Sequence, residues 1–147
     1  MFQEILTISL TLGSLLLFCY WFRYACHLIL AGATVRDYAE QTAAAHHLSF
    51  LEARSWLQQG VTEFGRVKNA LDRDYAVLAR LMAQAGEAQD GTERRMLAIH
   101  YSLMRAWYGA TRSISASAAR RALDEMSMVV AHLANSVGEA AAVSAAA

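Results

Sequence analysis

Residues 5–22 read ILTISLTLGSLLLFCYWF, eighteen positions without a charge, closed by Arg23. A hydrocarbon core about 30 Å thick takes roughly 20 apolar residues as helix, with a lower limit near 17. The run therefore predicts one transmembrane helix. A secretory signal peptide fits less well: the residues ahead of the run carry Glu4 and no basic residue, and the nearest A-x-A-like site, 31–33, lies beyond Arg23. A retained anchor is expected.

Polar positions within the run keep a helical rhythm. Glu4, Thr7, Thr11 and Ser14 share one stripe, with Gly13 beside it. Small and hydroxyl side chains let transmembrane helices approach and bond across, so this face is expected to dock against another helix. The competing possibility is that the hydroxyls bond back to their own helix. Phe18, Tyr20, Trp21, Phe22 and Tyr24 crowd the other end, where aromatic rings favour the headgroup level. Arg23 and Arg36 follow, and the positive-inside rule then places the C-terminal part in the cytoplasm. Residues 24–35 are apolar again; centring the span on them would bury Arg23 and His27 at a cost of about 2.5–3.5 kcal/mol for the arginine. They are expected to continue the helix out of the bilayer.

Beyond the anchor the pattern is that of amphipathic helices. Residues 36–59 predict one helix, with Tyr38, Leu48, Phe50, Leu51 and Trp56 as its contact residues. A turn at 60–62 precedes a helix of about 24 residues, whose seam is Phe64, Val67, Leu71, Leu78 and Leu81. Asp74 interrupts that seam. A buried carboxylate there would pair with an arginine across the fold or set register; otherwise the position is wet. Residues 86–91 predict a loop, with Asp90 or Thr92 as the next helix cap. The following stripe takes in Met96, Leu97, His100, Leu103, Met104, Trp107 and Tyr108. It continues through Ile114, Ala122, Met126, Val129 and Leu133. With no proline, the balance favours one long helix kinked near 113–117 over two helices. The pairs Arg120–Asp124 and Arg121–Glu125 predict a solvated face, and Arg94–Arg95 near a helix start predict a partner or lipid phosphate that holds them.

Composition agrees with this. The 147 residues contain no proline, and the abundance of alanine, leucine, arginine and glutamate favours an all-α chain. The expected fold is an N-terminal single transmembrane helix followed by a long-helix hairpin or a three-to-four-helix bundle. Its parts are an anchor over 1–35, a helical bundle or hairpin over 36–138, and an alanine-rich tail over 139–147 that should fray. A net charge of zero argues against nucleic acid as a partner. Lys68 is the single lysine, and this arginine bias points to a GC-rich, bacterial source. The expected location is the bacterial inner membrane.

Candidate chemistry changes little. No P-loop, dinucleotide fingerprint, nucleophile elbow, H-E-x-x-H or C-x-x-C-H occurs, so no enzyme activity and no small-molecule substrate is expected. Cys19 and Cys26, seven residues apart and about 10 Å apart by helical rise, cannot bridge within one chain and are expected as packing residues. His27 is the weak candidate for cofactor binding: a haem on it would need a histidine from a second chain at matching depth. Adjacent His46 and His47 diverge by about 100° on a helix and make a poor metal pair. No cofactor or metal is expected, while lipid contacts are.

These features predict a non-catalytic membrane-anchored subunit. It would dock to other transmembrane subunits, or to copies of itself, and organise a larger complex. A membrane-anchored signalling module and a small haem-binding electron-transfer subunit are the alternatives.

Overall fold

The computed structural model describes residues 1–32, 37–60, 62–84 and 91–146. Those residues form six α-helices and no strand. Of the loop expected over 86–91, residues 86–90, with Asp90, lie outside the described residues, as does the junction residue Arg36, while Gly91 already opens a helix. The chain divides into two units, Met1–Ala33 and Thr34–Ala147.

The first unit is helix α1, Phe2–Ala31. At 1.5 Å per residue its 30 residues extend about 45 Å, longer than the roughly 30 Å of hydrocarbon a span must cross. The expected continuation past Arg23 is helical as far as Ala31, with Gly32 as its cap, and its residues 33–35 lie outside the described residues. α1 is long and apolar enough to cross a membrane.

The second unit holds α2 (Ala39–His46), α3 (Phe50–Gln58), α4 (Phe64–Gln84), α5 (Gly91–Thr111) and α6 (Ala116–Ala146). Each of α2 to α5 packs against α6, and α3 also touches α2 and α4. The core is built from α6 residues Leu123, Met126, Val129 and Val130, facing Phe50, Leu71, Leu78 and Leu97 from the other helices, all almost wholly buried. Burying such a side chain contributes about 1.5–3 kcal/mol, which is what holds short helices together here.

Two predicted helices are each divided. The expected helix over 36–59 breaks at His47, whose backbone turns left-handed (φ 51°, ψ 43°) as the cap of α2. No glycine or proline marks that break. Histidine is one of the few non-glycine types that enters this region at modest cost. The single long helix expected after residue 92 is two, with α5 ending at Thr111 and α6 beginning at Ala116. At the break the Thr111 hydroxyl donates to the Trp107 carbonyl, and the Ser115 side chain accepts the Ala118 N–H. A residue type that bonds locally can end one helix and begin the next without glycine or proline. The alanine-rich tail does not fray: α6 runs through it to Ala146.

α3 has nine residues and no side-chain cap of its own, too short to be stable alone. It is held at both ends from other helices. Asp74 on α4 accepts the Ser49 backbone N–H at 2.6 Å at its N-terminus. Arg120 on α6 donates to the Leu57 carbonyl at its C-terminus. Acid at the N-terminus and base at the C-terminus both oppose the helix dipole favourably. Arg66 also lies over the Trp56 ring, 4.7 Å from its centroid.

Candidate docking surfaces

On α1, every residue from Met1 to Trp21 is exposed, so the helix offers apolar side chains all round. The Thr7 hydroxyl donates to the Gln3 carbonyl and the Thr11 hydroxyl to the Thr7 carbonyl, both at 2.8 Å. Their protons are thus used within the helix, which leaves only oxygen lone pairs for a neighbour. A methyl group on Gly13 would meet nothing within 4 Å, so that face is open to close approach. Glu4 and Ser14 are exposed as well.

The aromatic belt is organised by helical spacing. Phe18 stacks on Phe22 with centroids 6.3 Å apart, Tyr20 on Tyr24 at 6.4 Å, and Trp21 meets Tyr24 edge-on at 5.9 Å. Arg23 is exposed among them. Cys19 is exposed, Cys26 is buried, and no disulfide joins them. His27 is half-buried.

In the second unit the predicted seam residues divide by helix. On α4, Val67, Leu71, Asp74 and Leu78 are buried, while Phe64 and Leu81 are half-buried at its ends. On α6, Met126, Val129 and Leu133 are buried. On α5, His100 is fully buried and Met96 half-buried, but Leu103 and Trp107 point outward, 52% and 55% exposed. The buried face is instead Leu97, His100, Tyr101, Met104 and Tyr108. α5 is apolar on both faces, with Arg105 as the only charge between Leu97 and Thr111. Periodicity cannot tell which of two apolar faces turns inward.

Asp74 neither reaches across to a distant arginine nor sits in water. It is 1% exposed, caps α3, and lies 3.6 Å from Arg73 next to it in the chain. Arg73 also donates to the Ser49 hydroxyl at 2.6 Å, so two consecutive α4 residues hold the start of α3. Burial raises the Asp74 carboxyl above its ordinary value, while the Ser49 N–H and the Arg73 charge pull it part of the way back.

Two polar clusters join helices. His100 on α5 and Glu125 on α6 are both buried, with Nε2 and Oε2 3.3 Å apart. The solvated face expected around Arg120–Arg121 and Asp124–Glu125 is therefore divided: Glu125 turns into the core and Arg120 reaches to α3. The second cluster links α4 and α5. Tyr101 donates to Asp72 at 2.9 Å, Lys68 and Arg105 flank the same carboxylate at 2.7 and 3.3 Å, and Tyr75 stacks on Tyr101 with centroids 4.0 Å apart. Burial pushes both phenols up, and the Asp72 charge pushes Tyr101 further.

One cleft, lined by Met82, Glu93, Arg94, Leu97, His132 and neighbouring α6 residues, has about 10 Å³ of interior, room for a single water. Glu93 and His132 meet across it at 2.9 Å, and Arg94 donates to the Met82 carbonyl. The arginine that was expected to need an outside partner thus has an internal one. His46 ends α2 and His47 caps it, both exposed. Among the described residues no group of three histidine, cysteine or acidic side chains could hold a metal ion. No family model matches the chain, and neither does any curated protein or solved structure.

Proposed function

We propose that this chain is a single-pass, membrane-anchored helical subunit, without catalysis of its own, that docks to and stabilises a larger membrane complex. One observation carries the reading: α1 presents apolar side chains on every side over a charge-free stretch of span length. A helix apolar all round needs an apolar solvent, and lipid is that solvent. The stacked aromatic end with Arg23 suits the headgroup layer, and the positive-inside rule then puts the bundle in the cytoplasm, of a bacterial inner membrane. Within the bilayer the Glu4–Thr7–Thr11–Ser14 stripe with Gly13 is the surface for a neighbouring transmembrane helix, from another subunit or a second copy. Outside it, the bundle's outward surfaces would contact the other subunits.

The test is purification of the tagged full chain from its native membrane in mild detergent. Stoichiometric co-purifying membrane proteins are the expected result. A lone monodisperse species would overturn the proposal.

A further inference from the structure

The break between α5 and α6 does not interrupt the buried seam. On α5 that seam runs through Tyr101, Met104, Tyr108 and Thr111, three and four residues apart and all buried. Counting on at the same spacing gives Ser115, half-buried, then Ala119, Ala122 and Met126, which α6 buries. Two helices joined by a turn have no need to agree in phase, because the turn can rotate one against the other. Agreement is what a single helix over the same residues would produce.

The connection itself is close to helical. Residues 112–115 hold no glycine and no proline. The Arg112 N–H donates to the Tyr108 carbonyl at 2.9 Å and the Ser115 N–H to the Thr111 carbonyl at 2.8 Å, both with the four-residue spacing of an α-helix. Two bonds mark the turn. The Ile114 N–H reaches back only three residues, to the Thr111 carbonyl at 3.0 Å, and the Ser115 hydroxyl accepts the Ala118 N–H at 3.3 Å. The Thr111 hydroxyl bond to the Trp107 carbonyl is one that a continuing helix would keep. Little therefore holds the turn against a straight helix.

The contacts of α6 do not depend on which chain supplies it. It packs on α2, α3, α4 and α5, and is joined to them through residues 112–115. Its two polar pairs with α5, His100–Glu125 at 3.3 Å and Glu93–His132 at 2.9 Å, form equally well with the α5 of another copy. Both pairs are centred in sequence on the Arg112–Ser113 bond, so straightening there keeps their register in a two-fold pair of chains. Exchange of an identical element between copies is a low-cost route to a dimer, since the core contacts are retained.

We propose that the second unit has a two-chain state in which residues 91–146 form one helix about 84 Å long and each chain's α6 seats against the α2, α3, α4 and α5 of the other. The exchange does not depend on α1 being a span. The test uses the full chain in mild detergent. In a Cys19→Ala/Cys26→Ala background, one chain carries Glu93→Cys and a second, differently tagged, carries His132→Cys. The two are co-expressed, because exchange requires an open core, and treated with a short bismaleimide. One chain with both cysteines is the control that the reagent bridges α5 and α6.

Expected is a product that joins the two chains. Its yield should rise with Ser113→Ala/Ser115→Ala and fall with Ser113→Gly/Ile114→Gly, since glycine in place of alanine weakens a helix about fivefold per residue. Products confined to the double-cysteine chain overturn the proposal, even where the chain is dimeric, because another surface then holds the copies together. A cross-chain product indifferent to the turn variants overturns the straight helix. Should the cysteine background loosen the fold, the mass of the chain with its own cysteines decides: its dimer fraction must rise with the alanines and fall with the glycines. A monomer throughout, or a dimer fraction indifferent to both, overturns the proposal.

Discussion

Asp74 accepts the backbone N–H of Ser49 at 2.6 Å, so a carboxylate in the middle of one helix caps the start of another 25 residues earlier. An interruption in a heptad seam is here the fastening point of a neighbouring helix. Asp74→Ala removes the cap and leaves a buried N–H, and should destabilise the chain by about 1–3 kcal/mol. Asp74→Asn keeps an acceptor oxygen and should lose much less. Chemical denaturation of the full chain in detergent, followed by circular dichroism, separates the two.

The same carboxyl carries a pH dependence of definite sign. Its folded value is raised above the ordinary one, chiefly by burial. Between the two values the folded chain holds a proton that the unfolded chain has released. The stabilisation is complete below the ordinary carboxyl range, about 3.9, and is lost as pH rises through the raised value. Wild-type stability measured against Asp74→Asn should therefore fall as pH rises from that range towards neutrality. A difference that is flat or rises with pH would contradict the assignment.

The phenols titrate at the other end of the scale. Tyr101 is raised by burial first and then by Asp72, and Tyr75 by burial. The folded chain then resists ionisation that the unfolded chain undergoes near pH 10, so stability falls as pH climbs above that value. Tyr101→Phe should cost about 1 kcal/mol at neutral pH through the lost bond to Asp72. It should also lessen the alkaline loss. Thermal melts across the alkaline range check both.

Gly138 on α6 lies against Tyr38 and Thr42 of the α2 segment. A methyl group there would lie 2.6 Å from Thr42 Oγ1 and press on the Tyr38 side chain as well. Replacing helical glycine by alanine usually stabilises by about 1 kcal/mol. Here the gain is opposed by overpacking worth about 1–3 kcal/mol, and Gly138→Ala should come out destabilising. Gly109→Ala on α5, where the new atom meets nothing within 4 Å, should show the ordinary gain. The two melting temperatures should move in opposite directions.

His100 and Glu125 test how much the core depends on a polar pair. Glu125→Ala leaves His100 facing a cavity inside the fold and should cost about 3–5 kcal/mol. His100→Leu with Glu125→Leu should recover most of that loss, since apolar residues of similar size often replace a buried pair without penalty. Urea midpoints of the single and double variants give the comparison.

The parts legible in the sequence were those set by local pattern. The charge-free run was read from composition alone, and α4 from Val67, Leu71 and Leu78 at helical spacing. The break at His47 was not legible, because no glycine or proline announces it and its neighbour Ser49 is held by Arg73 and Asp74 from another helix. Glu125 looked solvated because Arg121 stands four residues before it; its actual neighbour, His100, is 25 residues away in the chain. Trp107 and Leu103 looked internal because α5 is apolar on both sides. In each case the deciding contact is between helices, and spacing along one helix carries no record of it.

α6 is the common wall against which α2, α3, α4 and α5 all pack, and it follows all four of them in the sequence. Synthesis runs from the N-terminus at about 5–20 residues per second. The four earlier helices therefore leave the ribosome without the surface that buries them, and the core cannot close until translation of this stretch is nearly finished. The order of the helices thus makes this unit assemble late.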